Sequence, residues 1–572
     1  MNIPRKEHPK PQFERADWMN LNGRWQFEID NGKSGVAREL FKDSVKLSEE
    51  ITVPFCPESK LSGVEHKDFM YGVWYKRSFT IDENKMNGRT FIHFGAVDYS
   101  AEIYINEKKV GTHKGGYVSF KFEITDFIHS GENTVAVYAN DDTRDRFIPS
   151  GKQCAEYAST GCYYTRTTGI WQTVWLEFTP KEYIEWVKYY PNIQQGEIVI
   201  QLSLKGDSHL CAEVSFGGRP MGKTEVDAQN GITRISVALK EKHLWDIGEG
   251  NLYDVKLSFG DDCVKSYFGL RRIAFDGDKF MLNGRSVFQR LVLDQGFYPD
   301  GIYTAPTDDD LKKDIELSLS CGFNGARLHE KIFEERYLYY CDKAGYLVWG
   351  EYPGWGIDHS NGEAIYSILP EWIEEVNRDF NHPSIIGWCP MNETWPFEDR
   401  MQKDDLLRLI YRTTKALDPE RPCIDSSGWF HVETDIFDVH DYNQDPADFK
   451  KKYDSIMETG EIYDWTNEVN HFNRQKHKGE PAFVSEYGGI QWTDFKEAWG
   501  YGNEPKSLEE FYERFKGLTD ALLDNTKMFA LCYTQLTDVE QERNGLFNYD
   551  RSPKFDAVRL KEIMSRKAAI ED

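Results

Sequence analysis

The sequence predicts a multidomain chain: an N-terminal β-sandwich of jelly-roll type, an immunoglobulin-like β-sandwich, and a C-terminal (β/α)8 TIM barrel. Three observations carry this. At 572 residues the chain is too long for one ordinary hydrophobic core. Apolar and polar residues alternate with a period of two as far as about residue 273. After that point strand-like runs alternate with helical ones.

Residues 1–178 read as the first sandwich. "VSFKFEIT" puts Val118, Phe120, Phe122 and Ile124 on one face and Ser119, Lys121, Glu123 and Thr125 on the other, the pattern of a half-buried strand. "WYKRSFTI", "AEIYINEKKVG" and "NTVAVYAN" alternate similarly, with Asn, Gly and Lys at the turns. Residues 179–273 repeat the pattern in shorter strands. "EIVIQLSL" aligns Ile198, Ile200, Leu202 and Leu204, and "YDVKLSF" aligns Tyr253, Val255, Leu257 and Phe259.

Residues 274–572 read as the barrel. Thr307 with Asp310 three residues on makes a capping box, followed by Leu311, Ile315 and Leu319 at helical spacing. Eight strand candidates follow in order: "SVFQRLVL", "FNGARLH", "YLVWGEY", "SIIGWCP", "PCIDSS", "IFDVHDY", "AFVSEY" and "MFALCYTQ".

Composition narrows the partners. With 69 basic and 95 acidic residues, the formal charge of −26 argues against nucleic acid and anionic membrane, both of which demand a basic face. Aromatics at 14% fit many β-layers or a site that stacks on sugar rings. The ten cysteines form no C-x-x-C and no zinc-finger spacing, so no structural metal is expected. The N-terminus has no apolar h-region and no run is long enough to span a bilayer; the expectation is a soluble, cytoplasmic protein.

In such barrels chemistry sits at the C-terminal ends of the strands. Those ends carry Asp294, Arg327 with His329, Glu351, Asn392 with Glu393, His440 with Tyr442, and Glu486. Glu393 and Glu486, on the fourth and seventh strands, would face one cavity from opposite walls. Paired carboxyl groups about 5–5.5 Å apart suit retaining glycoside hydrolysis, in which one protonates the leaving oxygen and the other attacks the anomeric carbon. Their surroundings must push their pKa values apart. Arg327 could hold Glu486 ionised, and Asn392 offers an amide for a sugar hydroxyl. Taken singly, each residue also has a structural reading. Glu393 could be a solvated loop charge, Arg327 and Glu351 members of an ion pair, and His329, His440 and Tyr442 partners of buried backbone groups.

The strings themselves add a resemblance. "NHPSIIGWCPMNETW" and "FVSEYGG" resemble the acid/base and nucleophile signatures of glycoside hydrolase family 2, home of β-galactosidases, β-glucuronidases and β-mannosidases. "PQFERADWMNLNGRWQF", "VPFCPESKLSG", "VWYKRSF" and "VDYSAEIYINEKKVGTHKGGYVSF" are similar to the family's sugar-binding jelly roll. "TRTTGIWQTVWLE" is similar to its join with the immunoglobulin-like domain, and "FNGARLHEKIFEERYLYYCDKAGYLVWGE" to the approach to its third barrel strand. The resemblance implies Glu393 as general acid/base and Glu486 as nucleophile. It also implies that Asn392 binds the sugar 2-hydroxyl, Arg327 orients Glu486, Tyr442 donates to Glu486, and Asp294 and His329 line the pocket with His440 nearby.

Departures from the family pattern bear on the sugar. "RLVLDQGFYPDG" stands where Asn-Arg-His-Glu is usual, and Arg327-Leu328-His329 replaces R-T-S-H. Gln535 lies near the place of a stacking Trp, and the Asn-x-Lys pair with which β-glucuronidases clamp the sugar carboxylate is missing. Yet the chain ends soon after the barrel, in the three-domain layout of β-glucuronidases. The expectation is an exo-acting, retaining β-glycosidase that removes a terminal neutral β-linked sugar from a glycoside or oligosaccharide, with galactose as first guess. A β-glucuronidase, a transglycosidase using Trp355, Trp395 and Trp429 as an acceptor platform, and a carbohydrate-binding protein that has lost catalysis are the alternatives. Two carboxylates require no cofactor; some members of the family carry Mg²⁺ or Na⁺ near the site, and nothing in this sequence indicates either. A homo-oligomer is left open.

Overall fold

The computed structural model of the chain describes residues 3–394, 401–468 and 475–571. The first sandwich packs a four-stranded sheet (Trp18–Asn20, Val174–Thr179, Arg89–Phe94, Phe120–Glu123) on a six-stranded one (Glu49–Val53, Gly23–Ile29, Val73–Ile81, Gly131–Asn140, Ser100–Ile105, Lys108–Lys114). Trp25, Phe27, Tyr75, Ile92, Phe94, Val135, Val137 and Leu176 fill the space between them. "AEIYINEKKVG" is a hairpin, turning at Asn106 and Glu107 with φ of 47° and 67°, the left-handed pair a two-residue turn requires. "VSFKFEIT" pairs only over Phe120–Glu123, while Val118 and Ile124 at its two ends stay buried.

The second sandwich joins a three-stranded sheet (Tyr183–Asn192, Glu197–Lys205, Gly231–Ala238) to a four-stranded one (Arg219–Ala228, Ser208–Phe216, Leu252–Phe259, Asp262–Gly269). Both predicted apolar stripes point inward, Ile198, Ile200, Leu202 and Leu204 against Tyr253, Val255, Leu257 and Phe259.

Among the described residues the barrel is a parallel sheet of seven strands, in chain order Gln289–Asp294, Gly325–Leu328, Leu347–Glu351, Ile385–Cys389, Phe437–Asp441, Ala482–Gly488 and Met528–Thr534; the last pairs with the first. The expected fifth strand, "PCIDSS", is reduced to parallel bridges from Cys423 to Trp388 and from Ser427 to Asn392. Asp425 is the reason. Its carboxylate accepts the backbone N–H of Val432 at 2.6 Å and Glu433 at 3.0 Å, curling the chain out of the ladder. The capping box is present at the start of helix Asp308–Ser320, with Leu311 and Ile315 buried beneath it.

A segment of the first sandwich, residues 141–168, carries no named strand or helix and lies against the barrel mouth. On one side Ser150 N–H and Gly151 N–H donate to Trp355 O at 2.9 and 3.1 Å. On the other, the Gln541 amide donates to Gly161 O and Tyr163 O, and the Tyr164 hydroxyl to Glu542. Gly151 permits the approach. It has φ of 52°, and a Cβ there would stand 2.3 Å from Glu330 O.

Candidate active site

The acid at the mouth of the fourth strand is held by its backbone. Pro390 ends "SIIGWC", and Glu393 takes φ of 46°, a left-handed conformation uncommon for a residue with a side chain. Its N–H donates to Ser427 O at 2.9 Å, so the residual fifth strand fixes the angle at which the carboxylate enters. Glu486 needs no such bend, because it lies inside the strand Ala482–Gly488, buried, and points into the barrel by strand alternation.

The two carboxylates meet. One oxygen of Glu393, one of Glu486 and a ring nitrogen of His440 all lie within 4.8 Å of one another. That is close to the carboxyl separation of about 5–5.5 Å of retaining glycosidases and well short of the about 6.5–9.5 Å of inverting ones.

Arg327 organises the floor. Its guanidinium donates to Glu351 at 2.5 Å, Ser485 O at 2.8 Å, the Asn392 side-chain oxygen at 3.1 Å and Glu486 at 3.3 Å. His440 places Nδ1 2.7 Å from Glu393 Oε1 and Nε2 3.4 Å from Glu486 Oε1. Gly428 makes room for this ring: a Cβ there would lie 2.3 Å from it. The Tyr442 hydroxyl donates to Glu486, and its ring stacks flat on Tyr501 with centroids 3.4 Å apart. His329 Nδ1 lies 3.0 Å from Glu351 and 4.0 Å from Glu486.

Electrostatics favour the ionised form of Glu486. Burial would raise the Glu486 carboxyl, but His440, His329, Arg327 and Lys152 around it hold it down to about 2. His329 is itself pushed well below its ordinary value by burial and by Lys152. Burial opposes the charge of His440 too, yet Glu486 and Glu393 raise its pKa. Asn392 is buried with its side-chain Nδ2 unpartnered, a donor ready for a hydroxyl of a bound ring.

Of the residues singled out from the sequence, Glu393, Glu486, Asn392, Arg327, His329, His440 and Tyr442 come together. Asp294 does not. Its carboxylate accepts Gly296 N–H at 2.9 Å and the Tyr337 hydroxyl at 2.9 Å, turned toward the helices that follow the first two strands. Burial and the nearby Asp314 push it up to about 6. Trp355 is part of the wall, its indole N–H bonded to Asn392 O at 3.1 Å. Trp429 packs edge-on to Trp465 with centroids 5.7 Å apart. Trp395 lies outside the described residues.

Sequence reasoning missed Lys152, Tyr163, Tyr501 and Glu542. Lys152 places its ammonium nitrogen 3.6 Å from the centre of the Trp355 ring, and the Tyr163 ring lies 5.3 Å from the same indole. The one available signal was a glycine–lysine pair in an aromatic-rich stretch without alternation, "SGKQCAEYASTGCYY". Glu393, His440 and Glu486 form, among the described residues, the one group of His, Cys, Asp and Glu donors close enough to share a metal ion. An ion there would engage both carboxylates at once. Among the described residues all ten cysteines are free thiols, and no helix is long and apolar enough to cross a membrane.

Comparison with known proteins bears on all three units. The family model described as glycosyl hydrolases family 2, sugar binding domain, matches residues 18–148; that described as glycosyl hydrolases family 2 matches residues 182–271; and the TIM barrel domain of the same family matches residues 277–568. A β-galactosidase of Thermoanaerobacter pseudethanolicus is 29% identical over 387 residues, 63% of this chain and 49% of that protein. A putative β-glucuronidase of Formosa agariphila is 29% identical over 61% of this chain and 44% of its own length. The chain thus spans about half the length of these two curated relatives. A β-glucuronidase of Paenibacillus borealis is 22% identical over 97% of both chains. Among solved structures, a β-glucuronidase from an uncultured Clostridium sp. superposes with a TM-score of 0.79 at 20% identity over 99% of both chains. At that identity the likeness speaks for the fold.

Proposed function

The chain belongs to glycosyl hydrolases family 2, and from that premise we propose that it is a retaining exo-β-glycosidase working through a covalent glycosyl–enzyme intermediate. The observation that carries the reading is the meeting of Glu393 and Glu486 within 4.8 Å around His440. Glu486, ionised and oriented by Arg327 and Tyr442, attacks the anomeric carbon from below the ring. Glu393, on the opposite wall, protonates the departing glycosidic oxygen. It then takes a proton from the water that releases the sugar. Asn392 offers its free amide to the sugar 2-hydroxyl, a bond that strengthens as positive charge develops on the ring and so lowers the barrier.

The relatives' names support two classes of terminal sugar, β-galactosides and β-glucuronides, and we place the substrate within that pair. Replacing Glu486 by Gly should abolish hydrolysis of aryl β-glycosides. Azide added to that variant should restore turnover and yield the α-glycosyl azide, because the small anion occupies the vacated carboxylate's place. A β-azide product would mean that Glu486 is not the nucleophile.

A further inference from the structure

Behind the two carboxylates runs a line of hydrogen bonds that no substrate touches. Asp438, on the strand Phe437–Asp441, accepts the Ser427 hydroxyl on Oδ2 at 2.5 Å, and the Ser485 hydroxyl on the same oxygen. Ser427 Oγ in turn lies 3.1 Å from His440 Nε2, and His440 Nδ1 lies 2.7 Å from Glu393 Oε1. The line therefore reads Asp438–Ser427–His440–Glu393. Ser427, Asp438 and Ser485 are each 0% exposed, so no solvent competes for these bonds.

Counting hydrogens along the line fixes its direction. A hydroxyl has one hydrogen to donate, and a carboxylate oxygen only accepts. Ser427 gives its hydrogen to Asp438, so toward His440 it offers only lone pairs. The nitrogen that faces it, Nε2, must then carry a hydrogen. Glu486 Oε1, 3.4 Å from the same nitrogen, makes the same demand. Arg327 Nη1, at 3.5 Å, is engaged on Ser485 O and Glu486 and leaves Nε2 to these acceptors. With Nε2 protonated, the hydrogen in the 2.7 Å contact between Nδ1 and Glu393 Oε1 is a second one, held between the ring and the acid.

Resting on the retaining-glycosidase reading above, we propose that Ser427 and Asp438 are positioning residues: acting on His440 Nε2, they set the ring so that Nδ1 shares the proton that Glu393 delivers to the glycosidic oxygen. No covalent bond forms or breaks along the line. The shared proton leaves with the departing oxygen in the first step, and the attacking water returns one to Glu393 in the second. The groups facing His440 are Glu393, Glu486, Glu351, Arg327 and His329 within the barrel, with Asp438 and His431 behind Ser427. Taking away the acceptor of Nε2–H makes the ring, and with it the pair, hold the shared proton less tightly.

The test is the pH profile of kcat/KM in Ser427→Ala, which removes the acceptor but keeps the backbone carbonyl that takes Glu393 N–H. The basic limb should move down by about one pH unit, the order expected for one hydrogen bond to a charged ring. Above that limb alkyl β-glycosides, which need the proton most, should lose about 10-fold more than aryl ones. Asp438→Ala frees the Ser427 hydrogen to turn toward Nε2 and should shift the limb the same way, whereas Ser427→Thr keeps the hydroxyl and should hold it in place. A second measurement is made on the wild type and decides the matter even if Ser427→Ala does not fold. The ¹⁵N signal of His440 Nε2, identified by its loss in His440→Asn, should be that of a protonated ring nitrogen throughout the active pH range. An unprotonated Nε2, an unshifted basic limb in folded Ser427→Ala, or equal losses on alkyl and aryl glycosides would overturn the proposal. Azide rescue of Glu486→Gly keeps the two readings apart. If rescue succeeds while the limb stays put, only the roles of Ser427 and Asp438 fall; if it fails on every glycoside, the retaining-glycosidase reading falls with them.

Discussion

His440 joins Glu393 to Glu486: its Nδ1 stands 2.7 Å from one carboxylate and its Nε2 3.4 Å from the other. The imidazole is buried, and with acids on both sides its pKa is raised. In the resting site it therefore bridges the two carboxylates. A substrate entering between them must loosen at least one of these contacts.

Removing that charge should be visible in the pH profile. His440 is the leading cation holding Glu486 down to about 2. In His440→Asn the Glu486 carboxyl should titrate higher, moving the acidic limb of kcat/KM upward by about one pH unit or more. An unshifted acidic limb, measured over the pH range in which the variant stays folded, would show that Glu486 stays ionised without His440.

Arg327→Met should damage both stability and activity. The guanidinium and its partner Glu351 are each 1% exposed along their side chains, and Glu486 5%. Its loss leaves two buried carboxylates without their shared cation, a change of about 3–5 kcal/mol in unfolding free energy. Denaturant titration should register that loss, and kcat should fall by about 10³ or more because Glu486 loses its orientation. Stability near the wild-type value would mean that the carboxylates take up protons at little cost.

Glu393→Ala should separate the two steps of the reaction. Aryl glycosides with good leaving groups need little protonation, so their glycosylation should be nearly spared while alkyl glycosides lose about 10²–10⁴ in kcat/KM. Azide should now yield the β-glycosyl azide, since attack comes from the face that Glu393 has vacated. A product of opposite configuration would reverse the roles of Glu393 and Glu486.

The residual fifth strand predicts a pH-dependent stability. His431 donates into Asp425 at 2.8 Å and toward Asp438 O at 2.9 Å. Burial opposes its charge, yet Asp425 and Asp438 raise it from 6.5 to about 9. A histidine raised on folding contributes stability that is complete below its unfolded value of about 6.5 and is lost as pH climbs through its folded value. The contribution is up to about 3 kcal/mol for a shift of this size. Melting temperature should therefore fall more between pH 6.5 and 9 in the wild type than in His431→Gln; parallel curves would leave His431 without this role.

Several features could be read without coordinates because they rest on local periodicity. The inward stripe of Ile198, Ile200, Leu202 and Leu204, the capping box at Thr307 and Asp310, and the run of polar residues at the barrel strand ends are all of that kind. What escaped depends on direction or distance. Asp294 ends its strand just as Glu351 does, yet Tyr337 and Gly296 turn it away from the pocket, and no spacing encodes that choice. "PCIDSS" has the composition of a strand, but Asp425 bonds backbone groups beyond it. Lys152 and Tyr163 lie far from the barrel in the chain and reach it through a stretch with no period at all.

That aperiodic stretch, residues 141–168, gives this fold a division of labour. Glu486 is set in the parallel sheet, and Glu393 just beyond the end of its own strand. One wall of the chamber they serve belongs to a separate folding unit, fastened at Trp355 on one flank and at Gln541 and Glu542 on the other. Exchanging that strap could retune which sugars are accepted while the cleavage machinery stays intact. A barrel excised on its own would lose that wall of the chamber.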